Sequence, residues 1–312
     1  MTDSTYQDGA TTSPRSVPTK RKHRTWLHGD TLIAFIVLLP SIIAVAIFIY
    51  GFILWTGFIS TVKWNSTIVD YTFVGLKNWS QLFQMERFHW DLRNLVLYAA
   101  GFMSQCIIFG FLIAVLIDQK IKGEALFRTI VIFPFAVSAI VTGVAWRWLM
   151  QPTTGINLLF ENLGLGELGF TWNAIPMGHP GHLAGAGWQF TGYVMALYLA
   201  GLRGIPNELR EAAAIDGAGA WATYRHVIIP LLMPVTFTAV VLTGMNSIRV
   251  FDLVTLLAGP AFSTDTLGFH MYQATFGMNR FSLGAALGFF MIFLSLFLVI
   301  PYLRSMRGEV EK

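Results

Sequence analysis

Apolar residues in this chain gather into long uninterrupted runs, and polar residues are confined to the segments between them. Six runs approach or exceed the roughly 20 residues that an α-helix needs to cross a hydrocarbon layer of ~30 Å. They lie at about Thr31–Phe58, Asn94–Ile117, Thr129–Met150, Leu183–Leu202, Pro230–Ile248 and Leu283–Leu303. The fourth is the least apolar, because Gly185, Gly187, Gln189 and Gly192 interrupt it. The runs are continuous and do not alternate. That pattern predicts helices and argues against a barrel, whose strands would show a period of two. The predicted fold class is all-α, an integral membrane protein with six transmembrane helices in a lipid bilayer.

The intervening segments carry their own signals. Residues 1–28 are basic and rich in Ser, Thr and Pro, with few bulky apolar side chains, and are expected to form a disordered cytosolic tail. Ala44-Val45-Ala46 resembles a small-residue cleavage site, yet the apolar run continues to Phe58, as suits a span that is retained. Residues 29–312 make up the transmembrane domain. Between the first two runs, Trp64, Tyr71, Trp79 and Trp90 suit the membrane interface. A short helix is expected to begin near Gly75-Leu76-Lys77-Asn78-Trp79, with Asn78 as its cap. The density of Gly and Pro from Gln151 to Ala184 predicts turns and short helices.

Composition agrees with a lipid-immersed chain. Of the 312 residues 54% are hydrophobic and only 12% charged, about half the charged fraction of an average soluble domain (~25%). Charge placement sets the orientation. With the N-terminus inside, most of the 21 Lys and Arg fall on inner segments: Arg15, Lys20, Arg21, Lys22 and Arg24, then Lys120, Lys122 and Arg128, then Arg203, Arg210 and Arg225, and finally Arg304, Arg307 and Lys312. Both termini are therefore expected in the cytoplasm. The same spread along an inner rim accounts for a pI near 9.2 without a nucleic-acid partner. The one cysteine, Cys106, falls within the second run and is read as a small core residue.

Several chemistries are missing. No G-x-x-x-x-G-K-[ST] loop exists to cradle nucleotide phosphates, and there is no H-E-x-x-H or G-x-S-x-G. His179 and His182 stand in a loose Gly/Pro turn with no carboxylate or Cys beside them, so no metal site is assigned. No catalytic residue and no cofactor are expected in this chain.

One polar segment is patterned. From Glu208 to Pro234 the chain reads ELREAAAIDGAGAWATYRHVIIPLLMP. Glu208–Asp216 are helix formers, with Asn207 expected as the cap and Glu208 and Glu211 near the positive end of the dipole. Ala212, Ala213 and Ala214 form a low surface that another protein can approach. Gly217 and Gly219 permit a sharp turn, and a second short helix, Trp221–Ile228, returns the chain toward the membrane at Pro230.

Glu211-Ala212-Ala213, Asp216-Gly217-Ala218, Ile228-Ile229-Pro230 and Pro234 together resemble the EAA motif, the mark of permease subunits of binding-protein-dependent ABC importers. The resemblance extends over nearly all of residues 31–304 and is nearest to the sugar-importer branch that contains the larger maltose permease. Phe73–Trp79, Phe127–Pro134 with Trp146-Arg147-Trp148, and Val250-Phe251-Asp252 are similar to that branch. Ser138 and Ala139 stand where the branch usually has a second Pro in its third span.

This resemblance implies the MalF/MetI-like ABC importer permease fold, with a cytosolic coupling loop at about 203–229. Glu208, Glu211, Ala212, Ala213, Asp216, Gly217 and Ala218 would engage an ATPase. The partners implied are a second, homologous permease, two ATP-binding subunits and an extracytoplasmic solute-binding protein. ATP and Mg would be held by the ATPase subunits. The solute implied is a carbohydrate, a neutral mono- or oligosaccharide, with glycerol-phosphate-type solutes or a self-powered secondary transporter as alternatives. The candidate solute contacts are Gln189 and Tyr193 on the fourth span and Thr243, Asn246 and Ser247 on the fifth, with Asp252 just beyond. Thr243, Asn246, Ser247 and Val250 recur at i, i+3, i+4 and i+7 and so share one helical face.

Overall fold

The computed structural model describes residues 29–119, 121–151, 155–166, 180–258 and 264–310. The N-terminal tail, His179 and the Gly259-Pro260 pair lie outside them. Among the described residues the regular structure is helical, and the one β-bridge, between Val62 and Phe73, is isolated. The helices in chain order are α1 Gly29–Val45, α2 Phe52–Ile59, α3 Lys77–Gln84, α4 Glu86–Asp118, α5 Glu124–Ile132, α6 Ala139–Leu149, α7 Ile156–Asn162, α8 Pro180–Gly204, α9 Asn207–Ile215, α10 Ala220–Thr223, α11 Ile229–Leu231, α12 Met233–Ile248, α13 Asp252–Ala258, α14 Leu267–Tyr272 and α15 Phe281–Val310.

Among the described residues three helical stretches are long and apolar enough to cross a membrane: Ala34–Ile59, Glu86–Asp118 and Phe281–Arg304. Two bent pairs bring the number to five when each pair is counted as one span. The first bent pair corrects the sequence reading. The expected straight third span is broken into Glu124–Ala136 and Ala139–Leu149, which meet at 99°. Pro134 lies in the 3-10 turn at the end of the first arm, and Val137 and Ser138 are extended (ψ 137° and 138°). The break therefore forms without the branch's second Pro. Its exposed carbonyl is satisfied from another helix, by Gln189 Nε2 donating to Val137 O at 2.6 Å. The second pair, Ala220–Leu231 and Met233–Ile248, bends by 64°, where Pro234 enters the first turn of α12. The remaining long helix, α8, has 25 residues, about 37 Å at 1.5 Å per residue.

The chain divides into two units, 1–51 and 52–312. In the first, α1 is an apolar helix with Pro40 inside it, followed by a π-helical turn, Ala46–Gly51. In the second, the core is built on α4 and α8. The buried residues of α4 are Phe88, Asp91, Asn94, Tyr98, Phe102, Cys106, Gly110, Ala114 and Ile117, one stripe at spacings of three and four. Val194, Met195, Tyr198, Leu199 and Leu202 of α8 complete this core. The glycines that weakened the fourth run are what let α8 approach its neighbours. A Cβ on Gly192 would sit 1.9 Å from Val131 O, and one on Gly187 would sit 2.0 Å from Gln105 Nε2.

The segment between the first two runs is a built structure. Leu76, and not Asn78, occupies the cap position of α3, and it makes no side-chain cap bond. Asn78 is buried within the helix and donates Nδ2 to Ser60 O (2.9 Å) and Val62 O (2.8 Å). It thereby holds the strand-like exit of α2 against α3. Asn78→Ala leaves two buried carbonyls without a donor and should cost about 2 kcal/mol, read as a fall in the unfolding midpoint in detergent.

The segment between the fifth and sixth runs also contains regular structure. Its helix α14 is capped by Thr266, whose hydroxyl accepts from Phe269 N, and it buries Leu267 and His270. His270 Nδ1 pairs with Asp91 Oδ2 at 2.5 Å, Arg87 Nε pairs with Asp265 at 2.6 Å, and Asn94 Nδ2 donates to Asp265 O. This buried polar network lies just before the second run as read from the sequence.

Candidate functional site

Two regions of the second unit carry the residues singled out in the sequence. The first is the polar hairpin between α8 and α12. α9 starts one residue earlier than expected: Pro206 is at the cap position with no side-chain bond, and Asn207 is the first helical residue. Proline supplies an extended cap here (ψ 136°), so the helix begins by backbone restriction and not by an Asn side chain.

α9 ends in a Schellman motif. Gly217 N donates to Ala214 O (3.1 Å) and Ala218 N to Ala213 O (2.9 Å), with Gly217 at φ +77°. Gly219, at φ −69°, has ordinary backbone and serves as the cap of α10. The chain then passes through a π-helical turn, Tyr224–Ile228, into α11. Ile228 and Leu232 are buried in the α4–α8 core and anchor the returning arm.

The outward side of the hairpin is open. Glu208, Glu211, Ala212, Asp216 and Gly217 are exposed, Ala218 is half-buried, and Ala213 packs inward. Glu211 makes no hydrogen bond or ion pair among the described residues. Two large apolar side chains lie on the same hairpin with most of their surface free, Ile215 at 87% and Trp221 at 74% exposure. They stand on the same hairpin as the exposed carboxylates Glu208, Glu211 and Asp216. The sequence reading had passed over both.

The second region is a cavity of about 160 Å³ bounded by α4, α6, α8, α12 and α13. Gln189, Asn246 and Asp252 line it together, joined by Arg249 and by the aromatic wall of Tyr98 and Phe102. The last two rings stack with centroids 5.4 Å apart and planes 8° apart. Their i, i+4 spacing on α4 was the available sequence signal. Arg249 and Asp252 form no ion pair among the described residues, and Arg249 Nε instead donates to Met245 O at 3.3 Å.

Tyr193, Thr243 and Ser247 lie outside this lining. Tyr193 stacks on Phe135 (4.7 Å, 16°) and braces the broken third span. Thr243 and Ser247 are buried, and their hydroxyls turn back onto α12, to Ala239 O at 2.6 Å and Thr243 O at 3.0 Å. The shared face read from the sequence is thus divided, Asn246 and Val250 facing the cavity and the two hydroxyl residues facing the packed core. The cavity contains two side-chain amides, one cation, one carboxylate and aromatic faces. That set suits hydroxyl-rich solutes. Its volume falls below the ~300 Å³ at which small-molecule sites begin.

Residues 106–307 match the family profile described as binding-protein-dependent transport system inner membrane component. A probable ABC transporter permease of Pyrococcus horikoshii is 39% identical over 277 residues, covering 87% of this chain and 95% of that one. A xylose/arabinose import permease of Haloferax volcanii is 30% identical over 243 residues, 75% of each chain. The fold is shared with a chain of the bacterial alginate ABC transporter, crystallised with its periplasmic protein bound to an alginate pentasaccharide. The TM-score is 0.75 and the identity 21%, over 88% of this chain and 93% of that one. By these matches this chain belongs to the family of inner-membrane permease components of binding-protein-dependent ABC transport systems.

Proposed function

We propose that this chain is one of two homologous permeases in an ATP-driven importer, and that the solute is a carbohydrate. The observation that carries the reading is the exposed hairpin: a turn held by backbone bonds presents Glu211, Ile215 and Trp221 where a cytosolic partner can seat. Two ATPase subunits would bind below, one on this hairpin and one on the second permease, and they would hold the nucleotide and Mg. An extracytoplasmic binding protein would deliver the solute. Both termini lie in the cytoplasm in this reading, and the chain itself performs no chemistry. Closure of the ATPase pair moves the hairpins and exchanges inward-open for outward-open states, each biased by its own ligand.

The carbohydrate reading draws on relatives named for xylose/arabinose and alginate and on the amides and aromatic wall of the cavity. Neutral sugars fit the balance of Arg249 against Asp252. The test is uptake into proteoliposomes that hold both permeases and both ATPases, with binding protein outside and ATP inside. Neutral sugar should accumulate only with ATP. Uptake driven by an ion gradient without the ATPases would overturn the reading. Competition by a uronic acid oligosaccharide would move the solute class toward acidic sugars, with Arg249 as the recognising group. Gln189→Leu with Asn246→Leu should raise the KM for uptake about tenfold, the loss of one to two hydrogen bonds, without loss of ATPase binding.

A further inference from the structure

Helix α9 has little that ties it to the membrane spans. Of its residues only Ala213 is buried, so hydrophobic packing holds it weakly. Its side-chain bonds to the spans, among the described residues, come from one group. Arg210 Nη2 donates to Asp118 Oδ2 at 2.9 Å and to Leu202 O at 3.3 Å. Asp118 is the last residue of α4 and Leu202 lies in the last turn of α8. One guanidinium therefore joins the hairpin to the cytosolic ends of two spans.

The placement of Asp118 is otherwise unfavourable. A carboxylate at the C-terminal end of a helix faces the negative end of its dipole and needs a cation beside it. With side-chain exposures of 10% for Asp118 and 30% for Arg210, the pair is sheltered enough to be directional. A second pair extends the chain of contacts. Arg203, also in the last turn of α8, bonds Glu124 in the first turn of α5 at 2.6 Å. A hollow of about 470 Å³ lies among these four charged groups, leaving room for the arms to tilt. The helices gripped are the ones that matter for the pathway: α4 and α8 carry Tyr98 and Gln189 of the cavity wall, and α5 begins the broken third span.

Resting on the functional reading above, we propose that Arg210 and Asp118 form the strut that carries movement of the coupling hairpin into α4 and α8, with Arg203–Glu124 passing it to α5. These are positioning residues. Removing the strut should leave the ATPase subunits docked and active while solute movement fails to follow.

The experiment uses the whole importer in proteoliposomes and reads ATP hydrolysed per solute imported. Asp118→Asn should raise that ratio about tenfold, within the range of coupling between linked sites, with the ATPase co-purifying as in the unaltered complex. Arg210→Gln should do the same. Exchanging the charges, Arg210→Asp with Asp118→Arg, should return the ratio to within about twofold of the starting value. An unchanged ratio in both single variants overturns the strut, as does loss of ATPase binding in Asp118→Asn or an exchanged pair that stays uncoupled. Absence of ATP-driven uptake in the unaltered importer would instead bring down the functional reading, and the strut with it.

Discussion

Replacing Gly217 by valine should abolish ATP-driven uptake while leaving the spans folded. Gly217 sits at φ +77°, and no atom lies within 4 Å of where its Cβ would be. Steric collision is therefore not the mechanism. A β-branched side chain in the left-handed region is strained by about 1–2 kcal/mol, and the two Schellman bonds it endangers are worth about 1 kcal/mol each. Together these exceed what an exposed hairpin can retain. The turn opens, α9 swings away from α10, and Ile215 and Trp221 lose their fixed placement. The spans are untouched, because the returning arm is anchored separately by Ile228 and Leu232. Uptake should fall at least a hundredfold with the protein still monodisperse in detergent. Gly217→Ala, at a cost of about 1 kcal/mol, should retain partial activity. Glu211→Lys should weaken ATPase co-purification by charge reversal alone, since Glu211 has no partner to lose within the described chain. Full uptake by the valine variant would show that the turn is not where the ATPase acts.

The second large effect lies in the core. Gly192→Leu should prevent correct packing of α8. Even its Cβ would meet Val131 O at 1.9 Å, Val131 C at 2.7 Å and Ile132 Cα at 2.9 Å, all of them backbone. No side chain can rotate aside, so α8 must move off α5. With it move Val194, Met195 and Tyr198, which form the core with α4. A destabilisation of about 3 kcal/mol or more is expected, seen as loss of monodisperse protein and a lowered unfolding midpoint. Gly192→Ala should fail by the same contact. Gly204→Ala, where nothing lies within 4 Å, is the control and should fold normally. Normal folding of the leucine variant would mean that α8 and α5 are not as closely apposed as the glycine requires.

The spans and the hairpin were legible in the sequence to different depths. α4 extends two turns beyond the expected start at Asn94, because Glu86–Arg93 is too polar to be counted as apolar yet continues the helix and buries Phe88 and Asp91. The bend at 99° in the third span was hidden, since Ala139–Leu149 is as apolar as a straight continuation would be and only the extended Val137–Ser138 pair interrupts it. Gln189 was legible as a polar residue on a span, but its bond to Val137 O connects residues 52 apart. Neither Asn78 nor Asn207 caps its helix, because both favour caps only on average, and here Leu76 and Pro206 hold the cap positions.

By itself the sequence determined that the chain is built of membrane-type apolar helices, roughly where most of them run, and which polar segment folds as a hairpin. Those are local conditions: a backbone in hydrocarbon must satisfy its own hydrogen bonds, and a turn with φ > 0 calls for glycine. Only the tertiary structure decided which polar residues meet. Arg210 and Asp118 are 92 residues apart, and His270 and Asp91 are 179 apart. Whether Asn246 faces a cavity while Thr243 and Ser247 face the core depends on how α12 is rotated against α4 and α8. That rotation is set by close packing across glycines, a property of pairs of helices that neither helix carries in its own sequence.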